Sequence, residues 1–428
     1  MSQTFPSMIP IRQKFDAPPP IRISETLAAE FASSGVLEKI QPGSRVAITV
    51  GSRGISNLKE IVSETVRIVR AAGAAPFLIP SMGSHGGATP EGQTAVLAEY
   101  GITPDSMGIP IHASMEVRQI GVTDDGVPVN FSAEALKADG VIILNRIKPH
   151  TDFSGNIGSG LLKMLVIGLG KHVGAAKAHL AAGTRGYEPV IRSIASVSLR
   201  TVPILCGVAI VENQFHETAR IEIVRPTDFV TREEELFQLS HRLMPSLPIR
   251  EVDLLIVDRI GKNISGAGID PNIIGRSVHG YSSFLGEKSP FPVTIRRIFV
   301  RDMTPETHGN AIGIGLADLT TTRLVNAMNK SATYVNALTA LTPNGAKIPI
   351  HFDTDREAIT AALASLGQAD PSASRVIRIA DTLSLEHLEL SVAARDHIPP
   401  DVTWSSRDPA EPMTFDASGN LPPMRIDI

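Results

Sequence analysis

The sequence predicts an α/β protein of two domains with largely parallel sheets. Three observations point there. Apolar runs of four to six residues alternate with segments whose apolar residues recur at helical spacing. Glycine-rich or polar loops follow several of those runs. The length of 428 residues is too much for one ordinary core and suits two or three. The boundary falls where MPSLPIR precedes a fresh strand, giving an N-terminal domain over 1–248 and a C-terminal domain over 249–428, with the tail expected to pack back on the first. The active site is expected in the cleft between the two domains.

In chain order, Val46 to Val50 reads as a buried strand after the turn Gln41-Pro42-Gly43-Ser44, and Ser56 to Ala72 as an amphipathic helix through Leu58, Ile61, Val62, Val66 and Val69. Pro76 to Pro80 is the next strand. The loop after it leads to a helix capped by Thr89 with Pro90 at its first position. Val141 to Leu144 is a third strand, followed by Asn145-Arg146-Ile147-Lys148-Pro149-His150 and then by a helical segment carrying Lys163, His172 and His179. Further strands are read near 205–211, 254–257, 293–300 and 376–379, with a helix near 231–243. The proline-rich tail from Pro399 reads as irregular.

Composition removes several function classes. Lys plus Arg total 40 against 44 Asp plus Glu, so a net charge of -4 provides no broad basic field for nucleic acid or an anionic membrane. The single cysteine, Cys206, excludes an internal disulfide, a CxxC redox pair and any multi-cysteine metal site. The N-terminus carries prolines and charges where a signal peptide needs an apolar run, and no segment has the length of a membrane span; a soluble cytoplasmic protein is the expectation. GLGKH is not a P-loop, no HExxH or GxSxG is present, and the first strand runs into VGSRGIS rather than GxGxxG.

Three loops leave predicted strands: Gly51 to Gly54, Gly83 to Thr89, and Asn145 to His150. In an open parallel sheet such loops border one crevice. Ser84, Gly86 and Gly87 offer backbone N–H groups beside a helix start, suited to phosphate or carboxylate, although a tight turn explains them equally well. Arg53 could fork onto a carboxylate, where the plain alternative is a surface arginine. His85 and His150 could exchange protons near neutral pH, and a loop histidine is more often merely solvated. Lys163 sits in GSGLLKMLVIGLG, whose apolar context favours a desolvated amine or else a lysine snorkelling to water.

Taken in order, GSHGGATPEG, KPHTDFSG and GSGLLKMLVIGLG resemble the nickel-pincer lactate racemase family, the racemases and epimerases of 2-hydroxyacids, over about residues 40–185. The resemblance implies proton transfer by His85 and His150, a cofactor-tethering Lys163, a nickel ligand at His179 sixteen residues further on, and a substrate-binding Arg53. The implied cofactor is the nickel-pincer nucleotide, a pyridinium-derived mononucleotide loaded by its own biosynthetic enzymes. The implied partner is a small 2-hydroxyacid. A short insertion around Asn156 to Ser159 and the missing acidic residue before Arg53 set the chain apart from the lactate-specific pattern and imply another hydroxyacid. In the second half, the loops at 261–272 and 308–318 look functional, with Lys262 as a substrate contact beside Asn263 and Asp270. The rival expectations are a non-catalytic binder of a phosphorylated or carboxylate ligand and a nicotinamide-type oxidoreductase.

Overall fold

The structure, a computed structural model, describes residues 5–52, 54–151, 153, 155–278, 293–406 and 409–425. The chain forms two compact units, Ala17–Met244 and a second made of Met1–Asp16 with Pro245–Ile428. The expectation that residues 1–16 belong to the N-terminal domain is therefore corrected. β1 (Ser7–Lys14) has a run of buried residues, Met8 to Ile11, and pairs antiparallel with a strand at His387–Ser391. In the tail, short strands at Thr403–Ser405 and Glu411–Pro412 add to β1 within the second unit.

The Ala17–Met244 unit contains, in chain order, α1 (Ile23–Ser34), β2 (Arg45–Val50), α2 (Leu58–Ala71), β3 (Ala75–Pro80), α3 (Pro90–Glu99), α4 (Pro104–Met107), β4 (Val117–Val122), β5 (Pro128–Ser132), β6 (Gly140–Arg146), α5 (Leu161–Lys163), α6 (Lys171–Arg185), α7 (Tyr187–Thr201), β7 (Ile204–Glu212), β8 (Thr218–Val224) and α8 (Phe229–Arg242). Its main sheet has the order β3-β2-β6-β7-β8, parallel except for β8, and β4 with β5 forms a separate hairpin. Alternation along each parallel strand builds two cores. Val46, Ile48 and Val50 of β2 and Ile142 and Leu144 of β6 face α1 and α2, whereas Ala47, Val141 and Ile143 join Ile191, Ile194 and Leu236 on the other face. Strands buried on both faces read as unbroken apolar runs, which is why VAITV and VIIL were legible.

The order β3-β2-β6 makes β2 a switch point: the chain moves outward to β3 and then returns to lay β6 on the other side. Loops leaving neighbouring strands diverge there and open a crevice at their carboxyl ends.

The second unit continues with β9 (Glu251–Ile260), β10 (Thr294–Met303), β11 (Leu319–Thr321), β12 (Ile350–Phe352), β13 (Val376–Ile379), β14 (His387–Ser391), β15 (Thr403–Ser405) and β16 (Glu411–Pro412). Its sheet runs β12-β11-β10-β9-β13-β14-β1-β15, with β16 also on β1; the stretch from β12 to β13 is parallel and the remainder antiparallel. Among the described residues no helix is long and apolar enough to cross a membrane.

Candidate active site

The crevice at the switch point is a cavity walled by Gly51 and Ser52 after β2, Ser81 and Met82 after β3, and Asn145, Arg146 and Lys148 at the end of β6. Lys163 and Met164 close it from the following helix, and His85 reaches it from the glycine-rich loop. All these residues belong to the Ala17–Met244 unit.

His85 is set from both sides. Its Nδ1 meets the Ser52 hydroxyl, and Ser52 is held in turn by the Tyr100 hydroxyl, which donates to its carbonyl at 2.7 Å. Buried Gln93 of α3 donates to the carbonyls of Gly83 at 2.9 Å and His85 at 3.3 Å. The helix supplying Gln93 starts as the sequence predicts, with Thr89 accepting from Gly92 N at 3.0 Å and Pro90 in the first turn. Gly86 has φ +64°, and a Cβ there would lie 2.5 Å from the Gly92 backbone, so it seats the loop on α3. Gly87 has φ +65° with open space around it, and Ser84 accepts from Ala88 N at 3.1 Å through its carbonyl.

Lys163 ends α5 and is followed directly by a π-helical turn, Met164–Gly168. Such a turn is uncommon and recurs at functional sites. The Lys163 ammonium meets His150 Nε2. The insertion between the two residues does not separate them, because Lys148 and Ser159 exchange backbone hydrogen bonds at 2.9 Å and fold the intervening loop back. His150 stacks on Phe153 at 4.5 Å, Phe153 on Tyr187 at 5.1 Å, and His179 of α6 stands edge-on to Tyr187 at 5.7 Å. His179 is thus two aromatic rings away from His150. His172 is exposed.

Two buried ionisable groups support these elements and were missed from sequence. Glu233 of α8, fully buried, accepts from Leu162 N at 2.8 Å and so caps the helix bearing Lys163. Burial pushes its carboxyl up to about 7, with the amides of Leu162 and Leu161 and the charge of Arg192 opposing. Gly160 is required beneath it, since a Cβ there would come within 2.3 Å of Glu233 Oε1. Lys171, also fully buried, donates to Pro80 O at 2.5 Å and ties the start of α6 to the end of β3. Burial pushes its ammonium down to about 8, with Glu134 opposing. Glu233 left a sequence signal, because it falls in register with the buried Phe229, Leu236, Phe237 and Ser240 of α8. Arg146, Lys148 and Asn145 had one too, as a polar run directly after a buried strand.

Arg53 lies outside the described residues. Lys262 belongs to the other unit, where its ammonium donates to Gly266 O at 3.0 Å within its own loop. Among the described residues no group of three or more His, Cys, Asp or Glu side chains is gathered as a metal site.

The sequence profile of the lactate racemase N-terminal domain matches residues 14–186, the stretch that contains His85, His150, Lys163 and His179. No curated protein matches the chain. Among solved structures, the lactate racemase apoprotein from Thermoanaerobacterium thermosaccharolyticum is similar, with 13% identity and a TM-score of 0.50 over 88% of this chain and 99% of that one. At that identity the similarity speaks for the fold.

Proposed function

We propose that this chain, whose residues 14–186 match the lactate racemase N-terminal domain, is a racemase or epimerase of a 2-hydroxyacid that works with a nickel-pincer nucleotide. The observation that carries this reading is the meeting of Lys163 with His150 beside a cavity that also holds His85, from segments well separated in sequence.

The residues fit the cofactor. Lys163 presents a primary amine on the cavity wall for attachment. A nickel ion that arrives with sulfur and carbon donors needs an imidazole from the protein and no thiolate, a role His179 would take. When bound, the cofactor supplies the acceptor for hydride from the substrate's C2.

Proton handling falls to the chain itself. Removing hydrogen from both C2 and the hydroxyl turns a 2-hydroxyacid into a planar 2-keto acid, and inversion requires the hydrogens to return on either face. A hydroxyl presented in two directions calls for two bases. His85, oriented by Ser52, and His150, oriented by Phe153, come from different loops and answer that demand. Arg53 would hold the substrate carboxylate.

The test uses protein co-produced with the pincer-cofactor biosynthetic enzymes and single enantiomers of C2-deuterated 2-hydroxyacids in ordinary water. The opposite enantiomer should form with deuterium retained at C2. Washout of the label would point to proton abstraction at carbon, and net oxidation of the substrate to an oxidoreductase; either result contradicts the proposal.

A further inference from the structure

The helix Lys330–Thr339 of the second unit buries its small and polar side. Thr333 accepts from Ala311 N at 3.0 Å, Asn336 accepts from Asn310 Nδ2 at 3.1 Å, and Ala337 packs with Ile312 and Ala346. The large apolar residues point the other way. Tyr334, Val335, Leu338 and Leu341 share one face at spacings of three and four, and they are 42%, 63%, 65% and 56% exposed. Ile348 and Ile350, on the segment that leaves Ala346 for the edge strand β12, are 38% and 67% exposed. These six side chains expose on the order of 600 Å² of apolar surface, at the upper end of what a monomer carries and close to the roughly 800 Å² that each partner buries in a standard interface.

The stretch is also poor in charge. Between Ser331 and Ile350 the only charged residue is Lys347, whereas α8 sends Glu235, Gln238 and Arg242 to solvent. Leu341 stands where glycine belongs. Thr342 N donates to Ala337 O at 2.9 Å and Leu341 N to Leu338 O at 3.1 Å, the bond pair of a helix end whose middle residue is left-handed, and Leu341 has φ +57°. Glycine is the residue that this conformation favours, and α2 and α3 are followed by Gly73 at φ +91° and Gly101 at φ +72°. A leucine there costs the backbone and is half exposed, so its side chain serves a contact beyond its own chain.

We propose that this face pairs with the same face of a second copy of the chain about a two-fold axis at Leu338. The stripe reads alike in both directions from that residue, with Val335 three positions before it and Leu341 three after. About a two-fold axis, where residue i meets j, j meets i. In an antiparallel helix pair Leu338 therefore meets its own copy, and Val335 meets Leu341 of the partner subunit. A neutral stripe that complements itself selects another copy over a charged partner. The pairing does not depend on the proposed function.

Sedimentation velocity of the full chain, at concentrations up to about 100 µM, tests the pairing. The parent protein should reach twice the mass of the chain, and Leu338→Glu, which sets two carboxylates at the axis, should weaken association by about tenfold or more. Leu341→Gly separates the contact from the fold: it should weaken the dimer while the dilute variant melts no earlier than the parent protein. Leu338→Cys should give a disulfide-linked dimer on mild copper-catalysed oxidation in air, and Gln238→Cys, on α8, should not. A parent protein that stays monomeric throughout overturns the proposal and leaves the face to a different protein. Association unchanged in both variants, with their folds verified by circular dichroism, overturns it as well, and a dimer whose Leu338→Cys form does not link contradicts the axis.

Discussion

The two parallel sheets treat arginine in opposite ways at the ends of their strands. In the second unit, Arg301 of β10 pairs with Asp258 at 2.9 Å and Asp355 at 2.7 Å, and Arg378 of β13 pairs with Asp258 at 2.9 Å and Glu389 at 3.2 Å. Arg323 reaches Asp355 at 2.8 Å, and the carbonyls of Leu421 and Pro422 accept from Arg301 and Arg378. Each of these cations has its carboxylates, so the network has no charge left over for a ligand. At the matching ends of β2 and β6, Arg146 pairs with Glu212 and stands with Lys148 and Lys163 on the wall of a cavity. Matched charge marks a strand end that serves stability, whereas the strand ends of the first unit turn their polar side chains to a cavity.

The most forceful way to break this comparison is to remove a base or the amine from the cavity. His85→Ala and His150→Ala should each lower racemisation by about 10²- to 10⁴-fold while nickel stays bound. Lys163→Ala should abolish it and remove any covalently attached cofactor. Retained turnover in either histidine variant would end its assignment as a base. His179→Ala should lose nickel, measured by elemental analysis, and full occupancy there would show that the ligand is another residue.

On the saturated side, Asp355→Ala takes one of two carboxylates from Arg301, which keeps Asp258, and from Arg323, which keeps Asp302, and leaves Leu421 N without its carboxylate acceptor. Urea unfolding should report a loss of roughly 1–3 kcal/mol. A loss near zero would mean that the network is not the matched structural device described above.

Glu233 sharpens the comparison from beneath the cavity. Its carboxyl stands at about 7 rather than the ordinary 4.5, so between those values the folded protein keeps a proton that the unfolded chain has lost. Its contribution is complete below the lower value and is lost as pH rises through the upper one, by up to about 3 kcal/mol. Unfolding free energies measured across that window should fall with rising pH in the parent protein, and Glu233→Gln should remove most of the fall. Parallel pH profiles for the two proteins would contradict this. The smallest effect is expected at Thr89→Ala, where loss of the helix cap should cost about 1 kcal/mol in thermal unfolding.

Much of the N-terminal unit was legible because its strands are buried on both faces and stand out as apolar runs, as at Val46 to Val50 and Val141 to Leu144. The cap at Thr89 was legible because it is local. β1 was not, since its partner strands lie at the other end of the chain and Ser7–Lys14 contains a proline and three polar or charged residues near its end. The π-helical turn after Lys163 is one residue of extra winding inside an apolar run, which leaves periodicity almost unchanged. Lys171 resembled the end of a failed phosphate loop, and only the fold reveals that its ammonium is buried against Pro80. Glu233 hid within the charged run Arg232 to Glu235, although its register with Phe229 and Phe237 placed it on the buried stripe.

The central claim is that Lys163 and its neighbours form a cofactor site for hydride chemistry. Nickel analysis combined with intact mass under denaturing conditions tests it most directly, on protein co-produced with the cofactor-making enzymes and compared with Lys163→Ala. Stoichiometric nickel and a mass increment that survives denaturation in the parent protein, with no increment in the variant, is the expected result. No nickel and no added mass in the parent protein, beside a lactate racemase loaded in the same way, would contradict it.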